Sequence, residues 1–119
     1  MTKVTEVLVA DDNPKIRQTL KDILVEKGYS VNTVNDGYEL LGYIKNKSPN
    51  VLVLDLIMPQ KDGIEVFSAI RRISPDTKII IYTAFQKYEY SLYAQTADKF
   101  LLKSESPELL LRAIRDVME

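Results

Sequence analysis

Three acids, one hydroxyl and one amine stand where runs of apolar residues stop. Asp55 closes the run VLVL in the stretch VLVLDLIMPQKDG, Asp11 and Asp12 follow EVLVA, Thr83 follows KIIIY, and Lys103 follows KFLL. If these runs are strands of a parallel sheet, their ends lie along one edge, and ligands bind at that edge in open α/β sheets. Carboxylates crowded together cannot all stay ionised cheaply without compensation. A divalent cation supplies it, and an all-oxygen donor set favours Mg²⁺ or Mn²⁺ over zinc. Lys103 is a mobile point charge suited to a phosphate oxygen, and Thr83 offers a hydroxyl donor. The chain has no histidine and no cysteine, so the usual general base is missing. An aspartate is already an anionic nucleophile and requires none. The chemistry open to this set is phosphoryl transfer onto Asp55 itself, which asks mainly for in-line placement and charge neutralisation.

Taken singly, each residue has a plainer reading. Asp11 and Asp12 could complement the dipole of a following helix, Asp55 could cap the next turn, Thr83 could simply end a strand, and Lys103 could be a solvated lysine. Joint placement at strand ends is what separates the two readings.

The elements that must position these residues are legible from periodicity. Glu6–Ala10 reads as a strand. Asn13 and Pro14 follow as an N-cap and a first helical residue, with Ile16, Leu20, Ile23 and Leu24 at helical spacing and Gly28 as a left-handed stop after Lys27. Tyr29–Val34 alternates polar and apolar residues and reads as an edge strand. Asp36 caps a second helix, with Glu39 placed for a capping box and Leu40, Leu41 and Ile44 on its buried side. The unbroken run before Asp55 suits a strand covered on both faces. Pro59 and Gly63 then break the chain before a third helix carrying Ile64, Phe67, Ile70 and Ile73. Lys78–Tyr82 is another all-apolar strand, interior like the one before Asp55. Gln86–Thr96 reads as a fourth helix rich in tyrosine, Lys99–Leu102 as a short strand, and Ser106, Pro107 and Glu108 open a last helix. Strands alternating with helices imply right-handed βαβ crossovers and a parallel sheet covered on both faces, an α/β fold.

A chain of 119 residues with 45% apolar and 28% charged residues has the size and composition of one soluble globular domain, spanning residues 1–119. A net charge of −1 offers no broad basic field for nucleic acid. The N-terminus MTKVTEVLVADD is too short and too soon acidic for a signal peptide, and no apolar run reaches membrane-spanning length. The expected location is the cytoplasm.

The acidic pair Asp11-Asp12, the segment DLIMPQKDG at 55–63, Thr83-Ala84 and Lys103 together resemble the receiver domain of two-component response regulators, the CheY-like family, along essentially the whole chain. That resemblance implies a flavodoxin-like sheet of order 2-1-3-4-5 flanked by five helices, with Val7–Val9 as its middle strand beside the Asp55 strand. It implies that Asp55 accepts a phosphoryl group from a sensor histidine kinase or phosphotransfer protein. By the same resemblance, Asp12 binds Mg²⁺ directly, Asp11 acts through water, Ile57 lends a backbone carbonyl to the metal, and Thr83 and Lys103 bind phosphoryl oxygens. Phe100 falls at the aromatic switch position. Ile16, Thr19 and Ser104 fall where a kinase docks. A downstream effector, as domain or partner, would read the face made by the fourth helix, fifth strand and fifth helix, which could also serve dimerisation.

The sequence departs from the family pattern in three places. Ser104 follows Lys103 where a proline in a cis peptide is usual, which implies a looser loop. Thr83 and Lys103 stand two residues closer than is common, which implies a shortened or irregular fourth helix. Ile57 and Phe85, the positions flanking the attacking water, are apolar, which implies slow self-dephosphorylation. Two rival functions remain. A Mg²⁺-dependent phosphatase or phosphotransferase of the haloacid dehalogenase type needs a second Asp where Ile57 stands. A pseudo-receiver that only binds partners would have no use for the intact acids, Thr83 and Lys103.

Overall fold

The computed structural model describes residues 3–58 and 63–119. Five parallel strands, β1 (Glu6–Ala10), β2 (Ser30–Val34), β3 (Val51–Leu54), β4 (Lys78–Thr83) and β5 (Lys99–Leu102), pair in the order β2-β1-β3-β4-β5. Helices α1 (Pro14–Glu26), α2 (Gly37–Asn46), α3 (Gly63–Ile73), α4 (Leu92–Thr96) and α5 (Pro107–Met118) connect or follow them. The middle strand is β3. The sequence reading placed Val7–Val9 in the middle, and the pairing corrects this: β1 lies one strand in from the edge, between β2 and β3. Residue for residue, β3 is fully buried while the alternating β2 is the edge. The turn expected at Pro59 and the side chain of Ile64 lie outside the described residues.

Successive side chains of a strand point to opposite faces, so each strand feeds two cores. Leu8, Leu52, Leu54, Ile79 and Ile81 pack with Leu40, Ile44, Phe67 and Ile70 under α2 and α3. Val7, Val9, Val51, Val53, Ile80 and Tyr82 pack with Leu20, Leu24, Leu110 and Ile114 under α1 and α5. Each fully buried aliphatic side chain contributes roughly 1.5–3 kcal/mol relative to exposure. The two layers therefore hold the sheet rigid beneath its carboxyl edge.

Local chemistry sets the helix ends. The Asn13 side chain accepts from the amides of Lys15 and Ile16. Gly28 takes a φ of +94°, open to glycine and strained for other residues. The Asp36 side chain accepts from the Glu39 amide at 2.8 Å, while Glu39 accepts from Asn35 rather than from the cap residue's own amide.

The fourth helix is short and irregular, as the close spacing of Thr83 and Lys103 implies, and does not fill the span Gln86–Thr96. Residues 86–96 do not form a continuous helix: Gln86–Tyr88 is a 3₁₀ turn and α4 is a five-residue helix. Ser91 breaks the run, its hydroxyl donating to the Tyr88 carbonyl and accepting from the Ala94 amide. Serine side chains compete in this way with a continuing backbone ladder. With no buried residue of its own, α4 is held from outside. Arg71 donates to the carbonyls of Thr77 and Thr96 and pairs with Asp98, and Tyr93 meets Phe67 edge to face at 5.7 Å.

Candidate functional site

The strand order puts the ends of β1, β3, β4 and β5 side by side at the carboxyl edge. Asp11 follows β1 and is held by its own backbone, its amide donating to Val34 and its carbonyl accepting from the Arg17 guanidinium at 2.8 Å. Asp55 follows β3, its amide donating to Ala10 at 2.9 Å. The first helix then starts at the edge of this group, so Asp12 stays exposed while Asp11 and Asp55 are buried. Each of the three acids offers one oxygen within 4.8 Å of those of the other two.

Lys103 reaches this group from the end of β5. Its Nζ lies 2.6 Å from Asp11 Oδ2 and 2.9 Å from Asp55 Oδ2. The second oxygen of each acid is also occupied: the Asn13 amide donates to Asp11 Oδ1 at 2.9 Å and the Ile57 amide to Asp55 Oδ1 at 3.1 Å. Charge-assisted bonds of this kind are about twice as strong as neutral ones. The Lys103 amide donates to the Thr83 carbonyl at 2.8 Å, so the neighbouring strands set lysine and threonine against each other. Thr83 is fully buried, and its hydroxyl accepts from the Phe85 amide at 3.3 Å.

The electrostatics follow from burial and partners. Burial pushes the Asp55 carboxyl above its ordinary range, against the pull of Lys103. For Lys103, burial acts to lower the value, but hydrogen bonds and charge from Asp11 and Asp55 outweigh it and the ammonium ends up raised. A carboxyl raised on folding costs nothing below its unfolded value and destabilises the fold increasingly as pH climbs through the folded one. Asp55→Asn is therefore expected to raise the urea midpoint of the metal-free protein at pH 7, with the gain vanishing on acidification below the ordinary value of 3.8. A variant less stable than wild type at neutral pH would show that the Lys103 pairing outweighs the burial of Asp55.

The donor set fits a hard divalent cation. It consists of carboxylate oxygens alone, two of its acids are buried with one protein ammonium between them, and the third is open to water. Mg²⁺ characteristically takes few carboxylates, keeps waters and then meets phosphate oxygens.

The other residues singled out from the sequence fall in two places. Phe100 on β5 is half-buried and packs against the core beneath α2 and α3. Ile16 is also half-buried, against the core beneath α1 and α5. Ile16 and the exposed Thr19 line a cavity of about 160 Å³ together with Leu20, Tyr82, Lys103 and Pro107. Ser104 sits in the exposed turn after Lys103. Glu105 closes that turn, its amide donating to the Leu102 carbonyl and its carboxylate accepting from the Leu102 amide. Two hydrogen bonds thus close the turn that carries Ser104. Sequence reasoning missed Tyr82 and Pro107 as cavity residues. The signal was available for Tyr82, because alternation along KIIIY puts its ring on the α1 side.

A family model described as response regulator receiver domain matches residues 7–115. The response regulator MprA of Mycobacterium leprae is 35% identical over 114 residues, which cover 94% of this chain and 50% of that protein. The chain thus spans about half the length of the curated relatives it matches. Among solved structures, the response regulator TrrA of Thermotoga maritima, in complex with Mg²⁺-BeF, aligns with a TM-score of 0.90 at 34% identity, covering 96% of this chain and 99% of that one. A chain from the complex of the histidine kinase ThkA with TrrA aligns at 0.89 and 33% identity, covering 98% of this chain and all of that one, 100%.

Proposed function

The chain belongs to the family of response regulator receiver domains, and from that membership we propose a phosphorylation-dependent signalling module whose phosphoacceptor is Asp55. The observation that carries the reading is the reach of Lys103 from the end of β5 to within 2.9 Å of Asp55. Asp55 supplies the nucleophilic oxygen, and its phosphoryl donor is a phosphohistidine of a sensor kinase or phosphotransfer protein. Lys103 and the Thr83 hydroxyl meet the phosphoryl oxygens. Asp11, Asp12, Asp55 and the Ile57 carbonyl would hold Mg²⁺ or Mn²⁺, which supplies positive charge for the transferring group. The complex of TrrA with Mg²⁺-BeF supports this assignment, as does the ThkA complex for the kinase partner. Beyond its own phosphorylation and dephosphorylation the module performs no catalysis. Among the described residues no helix is long and apolar enough to cross a membrane.

Phosphorylation adds roughly one to two negative charges and new acceptor oxygens. If the Thr83 hydroxyl turns toward them, it gives up the Phe85 amide that it now accepts from. The space it vacates can take the half-buried Phe100 ring. That shift biases the face formed by α4, β5 and α5, where an effector or a second copy would dock.

Incubation with acetyl phosphate and Mg²⁺, followed by intact-mass analysis, tests the assignment. One phosphoryl adduct is expected on wild type and none on Asp55→Asn. Equal adducts on both, or none on wild type, would remove Asp55 from the role. Turnover of a phosphomonoester would favour the phosphatase reading instead.

The lifetime of the adduct makes a separate prediction. Ile57 and Phe85 carry no group that could orient an attacking water, so hydrolysis is expected to be slow. Ile57→Asn should speed it about tenfold, less than the roughly 10²–10⁴-fold of a positioned general base because an amide orients the water without taking its proton. Decay of the wild-type adduct within seconds, followed by quenched mass analysis, would contradict this.

A further inference from the structure

Asp11 and Asp12 are neighbours in the chain yet stand in different surroundings, one 2% exposed and the other open to water. The peptide that joins them is planar, so the direction of the Asp11 carbonyl fixes the direction in which Asp12 leaves. Most of what surrounds the pair holds Asp11 alone: its amide donates to Val34, its Oδ1 accepts from the Asn13 amide, and its Oδ2 meets Lys103. The strand ladder stops short of the joining peptide. β1 pairs only through Ala10, and among the described residues no backbone amide donates to the Asp11 carbonyl. Pro14, which opens α1, has no N–H to offer. What holds this carbonyl is the Arg17 guanidinium, whose Nη1 donates to it at 2.8 Å.

The helix gives no reason of its own for Arg17. It is the fourth residue of α1, and a cation in the first turn of a helix opposes the macrodipole. It is half-buried and in no ion pair among the described residues, although three carboxylates gather at the same edge. Its guanidinium engages a backbone oxygen instead. Arginine suits such an anchor because its planar fork is pre-organised and stays charged at any ordinary pH.

Resting on the function proposed above, we infer that Arg17 is a positioning residue for the metal site. Its bond to the Asp11 carbonyl sets the joining peptide, and with it where exposed Asp12 stands relative to buried Asp11. Two effects of the guanidinium oppose each other. As a charge beside a cation site it repels Mg²⁺. As a donor it holds two acids in register before the cation arrives, and hydrogen-bond partners of metal ligands are characteristically worth about 10–100-fold in affinity. The second outweighs the first.

Titration of isotope-labelled, metal-free protein with magnesium chloride, followed by amide chemical shifts, tests this. Arg17→Met keeps an apolar stem and removes charge and donor together. Its Kd for Mg²⁺ is expected to rise about tenfold. With acetyl phosphate, the Mg²⁺ concentration giving half the maximal rate should rise in step, while the rate at saturating Mg²⁺ matches wild type. Arg17→Gln, also a good helix former, carries its amide on a shorter stem and should show the same loss, so a folding defect peculiar to methionine would not hide it. A Kd that stays the same or falls in both variants would overturn the inference, because removal of the charge alone strengthens cation binding. A lower urea midpoint in chelator with an unchanged Kd would overturn it too, leaving Arg17 only to satisfy a buried carbonyl. Wild type that binds no Mg²⁺ would do the same. Wild type that binds Mg²⁺ but gains no phosphoryl adduct would instead remove the proposed function.

Discussion

Lys103→Met should destabilise the metal-free protein by about 3 kcal/mol or more and slow phosphorylation from acetyl phosphate by at least about a hundredfold. Both effects come from one ammonium. Asp11 and Asp55 are 2% and 6% exposed, and Lys103 is bonded to both. Removing it leaves two buried carboxylates facing each other, a situation far costlier than losing a surface ion pair. Its raised value sets the sign with pH. A lysine raised on folding contributes fully below its ordinary 10.5 and loses that contribution as pH rises through the folded value. The gap between wild type and Lys103→Met in urea unfolding should therefore be widest near neutrality and close in strong alkali. Added Mg²⁺ should restore much of the stability, since it can stand among the same oxygens. It should not restore the transfer rate, since methionine has no donor for a phosphoryl oxygen. A variant as stable and as readily phosphorylated as wild type would reduce Lys103 to a bystander.

The second large effect concerns the metal. A ligand present at a hundredfold its Kd stabilises the folded state by about 2.7 kcal/mol when it ignores the unfolded chain. Mg²⁺ at such an excess should raise the melting temperature of wild type by several degrees. Asp12→Asn should lose most of that rise and, in step with it, most of the phosphorylation by acetyl phosphate. Asp12 is the informative position because it is exposed, so its replacement disturbs no buried contact. Melting curves with Mg²⁺ and with a chelator check this. An identical Mg²⁺-dependent rise in the variant would take Asp12 out of the metal site.

Much of this architecture was readable from local pattern. The full burial of Val51–Leu54 and the polar alternation of Ser30–Val34 translate directly into a central and an edge strand. Asn13, Asp36 and Ser106 cap the helices they precede. The close spacing of Thr83 and Lys103 announced a shortened, irregular fourth helix but not where it would break. Residues 86–96 read as one tyrosine-rich helix, but a serine hydroxyl in their midst recruits the backbone on both sides. At the turn that carries Ser104, Glu105, three residues after Leu102, accepts from the Leu102 amide. That bond depends on a side-chain rotamer, which periodicity does not report.

Residue type and order alone established that acids, a hydroxyl and an amine would end parallel strands, and hence which chemistry was open to them. They did so because strand alternation and helix spacing are local properties of a chain. Only the folded molecule decided that Lys103 lies between Asp11 and Asp55 rather than in solvent, that Asp12 stays wet while Asp11 does not, and that Tyr82 opens onto a cavity beside them. Those outcomes rest on distances of a few ångströms between segments far apart in sequence. Such distances are set by how two cores pack against one sheet, and no single stretch of the chain encodes them.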